Sequence, residues 1–327
     1  MVAGNPTFGP GCLREGRDYD PTVATITAIV PATNDPATLE ECLDAIRSSA
    51  EPPDELIVVT EAPGPGPAAA RNEGVRRASG DIVAFVDADV LVHRDAFTRI
   101  RKAFGADPGL VALVGSYDDR PIEDGVVSGF RNLLHHFIHQ SSPGEASTFW
   151  AGLGAIRRDV FLAAGGFDAA RFRHPSVEDI ELGMRLTADG RRIVLDPAVQ
   201  GTHLKRWRLG QMLHTDLVRR GLPWAQLLLE RGLPSRTLNL GWRHRLSAVV
   251  SLAALGGTVT RKPKLALGSL GALAWLNRGF YALLWRRQGP GRAVLGVGLH
   301  ALHHLTGVAA ALLAFARHLR NGRAGSA

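Results

Sequence analysis

Two hydrophobic patterns alternate along residues 23–195: short β-branched runs, and longer stretches with helical spacing. The short runs predict four strands, Val23–Val30, Glu55–Thr60, Ile82–Val86 and Leu110–Gly115. The longer stretches predict helices at Pro36–Ser49, Ala68–Ser79, Ala96–Phe104 and Gly129–Gln140. Repeated strand–helix–strand units of this length predict an α/β fold, a doubly wound and mostly parallel sheet with helices on both faces.

Ligands of such sheets bind beyond the carboxyl ends of the strands. Three segments follow predicted strands and should therefore lie together along one edge of the sheet: Pro31–Asp35, Glu61–Gly66 and Asp87–Asp89. This edge is the predicted ligand-binding side of the molecule.

The pattern changes after Leu240, where apolar runs dominate. The runs are Leu246–Thr260, Leu265–Trp285 and Ala293–Ala316. Only the last run is long enough to cross a membrane by itself, since a hydrocarbon core of about 30 Å needs about 20 residues. Alternatives are helices lying in the plane of a membrane, for which Asn277–Arg287 is a candidate, or a packed helical subdomain. We therefore predict a tail at 1–22, a catalytic domain at 23–240 and membrane-associated helices at 241–327.

The charge is divided in the same way. Residues 1–200 contain 19 Lys and Arg against 29 Asp and Glu, whereas residues 201–327 contain 19 against two. Because the basic part is also the apolar part, this charge favours anionic membrane lipids as a partner over nucleic acid. The first 22 residues show no secretory signal. Cys12 and Cys42, the two cysteines of the chain, have no metal-ligand spacing and are expected to be reduced thiols.

Two carboxylates with one residue between them, Asp87 and Asp89, directly follow the predicted strand Ile82–Val86. A pair presented at a strand end can face one divalent cation and a diphosphate bound to it. Carboxylate, phosphate and water oxygens are the ligands preferred by Mg²⁺ and Mn²⁺. The spacing alone is a weak signal, but its position at the ligand-binding edge strengthens the prediction of a metal site.

Six short motifs occur in order along residues 23–210. They are Ile29-Val30-Pro31-Ala32-Thr33-Asn34, Ala70-Arg71-Asn72-Glu73-Gly74, Asp87-Ala88-Asp89, Gly165-Gly166-Phe167-Asp168, Glu178-Asp179-Ile180-Glu181-Leu182 and His203-Leu204-Lys205-Arg206-Trp207. This series resembles the family-2 inverting glycosyltransferases of the GT-A fold, and most closely the members with apolar C-terminal helices. The resemblance implies transfer of a sugar from a nucleotide-diphosphate donor, UDP- or GDP-linked, to a lipid or glycan acceptor.

The resemblance also implies roles for individual residues. Thr33 and Glu61 would hold the nucleoside, although Thr60-Glu61-Ala62-Pro63-Gly64 departs from the usual Asp-Asp-Gly-Ser turn and leaves the donor base open. Arg71, Asp87 and Arg206 would contact the donor. Asp89 would ligate the metal, with His203 as a further ligand. Trp207 would lie near the acceptor.

Asp179 is the candidate catalytic base, because direct displacement needs a carboxylate to accept the proton of the acceptor hydroxyl. Its position at a predicted helix start favours the ionised form. Glu178 and Trp150 are further candidates for the acceptor site, with helix capping and core packing as their alternatives. The presence of Asp179 favours a hydroxyl acceptor over a polyprenyl phosphate, which needs no base.

Two other functions fit parts of the pattern. A sugar nucleotidyltransferase also binds metal on such a sheet, but the segment Pro31–Pro36 contains neither the glycine nor the basic residue of its phosphate loop. A non-catalytic membrane scaffold would not need Asp87, Asp89 and Asp179. Cytosolic nucleotide sugars and reduced cysteines predict that the catalytic domain lies on the cytoplasmic face of the cell membrane.

Overall fold

The computed structural model describes residues 24–232 and 241–324. The predicted tail 1–22, Cys12 and the predicted boundary at Leu240 lie outside the described residues. Cys42 is buried and free, and burial together with the nearby charge of Asp87 raises the pKa of its thiol to about 12.

One sheet organises residues 26–203. Its strands are β1 (Ile26–Pro31), β2 (Glu55–Val59), β3 (Ile82–Val86), β4 (Val90–Val92), β5 (Leu110–Tyr117), β6 (Gly144–Ala146), β7 (Leu153–Arg157) and β8 (Arg192–His203). The order is β2-β1-β3-β7-β5-β8-β4, and β6 also pairs with β8. β2, β1, β3, β5 and β8 run in one direction, while β7, β4 and β6 run against them. The predicted mostly parallel α/β sheet is therefore confirmed.

The helices of the catalytic part are α1 (Leu39–Arg47), α2 (Gly66–Arg77), α3 (Ala96–Ala106), α4 (Val126–Gln140), α5 (Arg158–Ala163), α6 (Glu178–Ala188), α7 (Leu209–His214) and α8 (Leu222–Arg231). A π-helical segment, Thr215–Gly221, joins α7 to α8. The predicted helices match α1, α2, α3 and α4 to within a few residues at their ends, as expected where helix boundaries depend on local capping.

The central strand β3 explains why the site forms where it does. All five of its residues, Ile82–Val86, are fully buried, so the chain meets polar surroundings only after Val86. α2 lies close against the sheet, and only a glycine fits at position 74, because a Cβ there would come within 2.4 Å of the Ile29 side chain. The glycine of the Ala-Arg-Asn-x-Gly motif therefore sets the distance between α2 and β1.

The last four helices are α9 (Trp242–Val259), α10 (Pro263–Leu276), α11 (Arg278–Gln288) and α12 (Pro290–Ala324). The apolar run Leu265–Trp285 is not continuous, because the helix ends at Leu276 and a new one begins at Arg278. α11 covers most of the segment Asn277–Arg287. α11 and α12 share a hydrophobic cluster with α4, in which Phe130 packs against Phe280 with ring centroids 5.6 Å apart.

By length and composition, one helix of the described residues could cross a membrane, at Pro290–Arg320. The surface of these helices is unusually apolar. Of the 22 large hydrophobic side chains that are exposed in the described residues, 17 lie between Trp242 and Leu319. Exposed apolar surface of this extent is typical of a membrane or protein interaction site.

Candidate active site

Asp87 and Asp89 follow β3 directly and precede β4, as the sequence predicted. The backbone holds this turn from both sides, since the Asp87 amide donates to the Gly152 carbonyl at 3.0 Å and the Leu204 amide donates to the Asp89 carbonyl at 2.8 Å. About a third of each carboxylate side chain is exposed. Both carboxylates line a small polar pocket of about 70 Å³.

His203, the last residue of β8, faces Asp89 across this pocket. The distance from His203 Nε2 to Asp89 Oδ2 is 3.4 Å. On the other side of the ring, Nδ1 lies 2.8 Å from Asn132 Oδ1. The Tyr117 ring stacks on the imidazole at a centroid distance of 4.2 Å and an angle of 7°. Because an amide oxygen can only accept, Nδ1 donates, which leaves the lone pair of the neutral ring on Nε2, toward Asp89.

Asp89 and His203 fit one divalent cation. Two ligand atoms at about 2.1 Å from an ion can be at most about 4.2 Å apart, and these two are 3.4 Å apart. The described residues contain no group of three or more His, Cys, Asp or Glu able to hold a metal. A two-residue site suits Mg²⁺ and Mn²⁺, which take their remaining ligands from substrate phosphates and water.

The charge of the pocket is balanced by its basic side chains. Burial acts to raise the pKa of Asp89, but His203, in the state in which its Nε2 carries a proton, and the charge of Lys205 hold that pKa below its usual range. Burial lowers the pKa of Lys205, although Asp89 opposes the shift. Asp89 is therefore ionised at neutral pH, as a metal ligand must be.

Lys205, and not Arg206, lines the pocket. The Arg206 side chain is 72% exposed and lies 3.8 Å from Glu123. The predicted contact of Arg206 with the donor stays a prediction. Trp207 does line the pocket, and Lys205 Nζ lies 4.5 Å from the centroid of its ring. The residues that this motif contributes to the pocket lining are therefore Lys205 and Trp207, besides His203.

Arg71 does not line the pocket but supports it from behind. It is buried and donates to Asp87 Oδ1 at 2.6 Å and to Glu178 Oε1 at 3.0 Å. Since both of its carboxylate partners belong to the chain, Arg71 orients Asp87 and does not face a ligand directly. In this structure Arg71 and Glu178 belong to an ion-pair network with Asp87, and their predicted donor and acceptor roles stay predictions.

Asp179 lies one residue further on, at the start of α6, and lines a separate and larger cavity of about 370 Å³. Its carboxylate accepts hydrogen bonds from the amides of Ala151 at 3.1 Å and Ile180 at 2.8 Å. Burial raises the pKa of Asp179, although Arg71 and Arg220 oppose the shift. α6 packs against the backbone of Phe149, and this is possible because residue 183 is glycine. A Cβ there would lie 2.1 Å from the Phe149 amide nitrogen.

The two cavities have a common wall formed by Arg131, His135, Trp150 and Arg220. Trp150 is nearly buried and contacts Tyr117 on the pocket side at a ring-centroid distance of 4.8 Å. No carboxylate of the described residues lies within salt-bridge distance of the Arg220 guanidinium. Arg220 projects from the π-helical segment, a conformation often found at functional sites.

The other predicted nucleoside contacts lie at the expected edge. β1 and β2 are paired so that Pro31 is opposite Val59, and Thr33 and Glu61 follow these strands as exposed residues. Neither lines the two cavities described above. Their contact with a nucleoside stays a prediction.

Comparisons with known proteins agree with the class that the fold and site suggest. Residues 60–163 match the family model described as glycosyl transferase family 2. The match spans about a third of the chain and includes α2, the Asp87-Ala88-Asp89 turn and Trp150. The resemblance found in the motifs is confirmed for this segment, and the sheet has the predicted GT-A-type fold class. No curated protein matches the chain in sequence.

Solved structures with a similar chain path include a mannosyltransferase from Pyrobaculum calidifontis in complex with GDP-Man and Mn²⁺. It is 19% identical, and the similarity covers 90% of this chain and 87% of that one, with a TM-score of 0.46. A second is GalNAc-T7 with UDP, GalNAc and Mn²⁺, at 15% identity, 66% and 52% coverage and a TM-score of 0.46.

Proposed function

We propose that this chain is a metal-dependent, inverting glycosyltransferase that moves a hexose from a nucleotide-diphosphate donor, UDP- or GDP-linked, to an acceptor hydroxyl. The observation that carries the proposal is the common wall between two cavities. One cavity contains Asp89 and His203, and the other contains Asp179. A donor diphosphate in the first and a hydroxyl in the second would meet beside Trp150.

Asp89 and His203 would hold Mg²⁺ or Mn²⁺, which supplies Lewis-acid neutralisation of the charge that develops on the departing diphosphate. Lys205 is placed to contact the diphosphate from the same pocket. Arg220 lies where both cavities meet and can contribute positive charge to the leaving group.

Asp179 is placed to accept the proton of the acceptor hydroxyl as the oxygen attacks the anomeric carbon. The new bond joins that oxygen to the sugar, the bond from the sugar to the diphosphate breaks, and the proton moves to the carboxylate. Direct displacement of this kind inverts the configuration at the anomeric carbon. A raised pKa suits this role because a more basic carboxylate accepts the proton more readily.

The proposal is tested with two substitutions that separate metal binding from proton transfer. Asp89→Ala is expected to abolish both hydrolysis of nucleotide sugars and the binding of Mn²⁺, with the fold retained. Asp179→Asn keeps the shape and should lower transfer by about 10²–10⁴-fold while Mn²⁺ binding stays unchanged. Activity of Asp89→Ala in the presence of EDTA would contradict the metal-dependent mechanism.

We also infer that the catalytic part is held at the cytoplasmic face of a membrane by the helices after residue 240. The support is the exposed apolar surface of α9–α12, together with the charge of residues 201–327. Each basic residue near an anionic surface contributes about 1 kcal/mol. After a carbonate wash the full chain should stay in the membrane pellet. Release by high salt would indicate surface helices, and a soluble chain without detergent would contradict the inference.

A further inference from the structure

The cavity that contains Asp179 extends well beyond the site of proton transfer. Its walls come from α4 and α6 on the catalytic side and from α8, α9 and α12 on the other. We call it the chamber. Because α9 and α12 belong to the predicted membrane region, the helices after residue 240 complete an acceptor-side cavity as well as providing an apolar surface.

Most of the chamber's surface is apolar. The side chains responsible include Leu134, Ile138, Trp224, Leu228, Ala248 and Val308. A sugar chain carries hydroxyl groups all around its rings, and these walls offer such groups few partners. An alkyl or isoprenoid body would bury its surface here with no loss of hydrogen bonds.

Three residues of the chamber nevertheless have buried polar atoms without a partner. They are Nδ1 of His139, Nε1 of Trp224 and both ring nitrogens of His304. His139 and His304 are only 3% and 2% exposed. Polar atoms buried in this way are normally hydrogen-bonded, so their positions on the chamber wall indicate a ligand that also has a polar group.

The chamber reaches the surface between the last helices. Two of its lining residues on α12, Gly307 and Ala311, are exposed, whereas Phe149 and Trp150 at the catalytic end are buried. Next to the exposed end, Leu312 and Phe315 are 65% and 52% exposed. The opening is thus surrounded by the same apolar surface that we assign to membrane contact.

We propose that the chamber binds an amphipathic lipid alcohol, which enters from the membrane between α9 and α12 and presents its hydroxyl to Asp179. The inference rests on the proposed function, since it names the acceptor class of the same site. A hydroxyl can donate a hydrogen bond to the Asp179 carboxylate. An ionised lipid phosphate has no proton to donate to this carboxylate; the charge of the wall does not separate the two ligands, because Arg131, Arg220 and Arg245 line the chamber together with Asp179 and Asp216.

The test is a photolabelling experiment that requires neither donor nor metal. The full chain, in phosphatidylcholine vesicles, is exposed to a C12 alcohol with a diazirine in its alkyl chain and the labelled peptides are identified. We expect labels on residues 148–150 and 176–180, which belong to the catalytic side of the chamber. Dodecanol should compete for these labels, whereas dodecane and dodecyl phosphate should compete much less.

Gly307→Leu is the filling variant. Gly307 lines the chamber and a Cβ at this position meets no atom within 4 Å, so a leucine side chain there has room to occupy the opening of the chamber. Each excluded methylene weakens binding about fourfold (about 0.8 kcal/mol per buried CH₂), and loss of two should reduce the labels about 15-fold. Ala248→Phe fills the chamber from α9 and is a second, independent filling variant, so that misfolding of one variant does not decide the test. Gly298→Leu is the matched control, because Gly298 is exposed on the same helix and also has open space at its Cβ.

The proposal is overturned if both filling variants keep normal labelling of residues 148–150 and 176–180, or if labels occur only on exposed residues of α9 and α12. Stronger competition by dodecyl phosphate than by dodecanol would assign the chamber to a lipid phosphate instead. Equal competition by dodecane and dodecanol would remove the hydroxyl from the proposal. Because labelling is independent of donor turnover, loss of transferase activity in another assay would not affect these outcomes.

Discussion

Asn132 offers a direct test of how the metal site is built. Its Oδ1 accepts the hydrogen bond from His203 Nδ1 at 2.8 Å, and this bond fixes the ring with Nε2 facing Asp89. Asn132→Ala removes the acceptor without touching either proposed ligand. The neutral ring is then free to place its proton on Nε2, which then has no lone pair to offer a metal beside Asp89, and to rotate away from Asp89.

Loss of such an outer hydrogen bond to a metal-binding histidine typically costs 10–100-fold in metal affinity. At about 1.4 kcal/mol for each factor of ten, this is about 1.4–2.8 kcal/mol. A net hydrogen bond between neutral groups contributes only about 0.5–1.5 kcal/mol. A loss of metal-binding free energy in the upper half of the expected range would therefore come from loss of the fixed tautomer and ring position, in addition to loss of the hydrogen bond.

The assay is a titration with Mn²⁺ in which free ion is measured by electron paramagnetic resonance, so that binding is determined without turnover. Asn132→Asp is the matched control, because it keeps an acceptor oxygen at the same position and adds a negative charge that strengthens the imidazole as a ligand. We expect Asn132→Ala to bind Mn²⁺ 10–100-fold more weakly and Asn132→Asp to bind at least as tightly as the wild type. Equal affinity of the alanine variant and the wild type would refute the proposed role of the His203 tautomer.

Three further outcomes follow from the site. Because the pKa of Asp179 is raised above its ordinary value of 3.8, the base becomes protonated, and kcat/KM falls, at a higher pH than for an ordinary aspartate as the pH is lowered. A pH–rate profile that is flat down to pH 4 would exclude Asp179 as the base. Lys205→Met should weaken donor binding about 10–100-fold, from about 1.5–3 kcal/mol for a charged hydrogen bond, while Arg206→Met leaves it unchanged, as calorimetry would detect. Arg71→Leu leaves the buried Glu178 and the half-buried Asp87 without their cationic partner and should lower the free energy of unfolding by about 3–5 kcal/mol. Arg77→Leu, at an exposed pair, should cost less than about 1 kcal/mol in the same denaturation assay.

The sheet, and the position of Asp87 and Asp89 at its edge, were predictable because both follow from the periodicity of the hydrophobic residues. The run Ile82–Val86 is apolar throughout, and it is β3 with the same bounds. A strand buried along its whole length can expose polar side chains only beyond its end, so Asp87 and Asp89 had to lie at the ligand-binding edge. The position of Asp179 at a helix start could be predicted in the same way, because its motif begins α6.

Residues that act through long-range pairing were not predictable in this way. Asn132, Arg131 and Arg220 lie on α4 and the π-helical segment, and nothing in their local pattern distinguishes them from other polar helical residues. Lys205 and Arg206 show a related limit. They lie between β8 and α7, where no repeating structure fixes which side chain turns inward, so a motif could indicate the segment but not the residue.

How the two parts of the chain on either side of the predicted division at residues 240 and 241 contact each other also depends on long-range pairing. Asp216 of the π-helical segment pairs with Arg131 of α4 at 2.7 Å and with His303 of α12 at 2.7 Å, which ties the last helix to the catalytic side. Phe130 of α4 also packs in a cluster with residues of α11 and α12. Charge and hydropathy predict two parts of the chain, but they do not show that one part closes a cavity of the other. A helix that only anchored the enzyme would have no reason to place a histidine against Asp216. The buried network therefore favours a helix that also shapes the acceptor site.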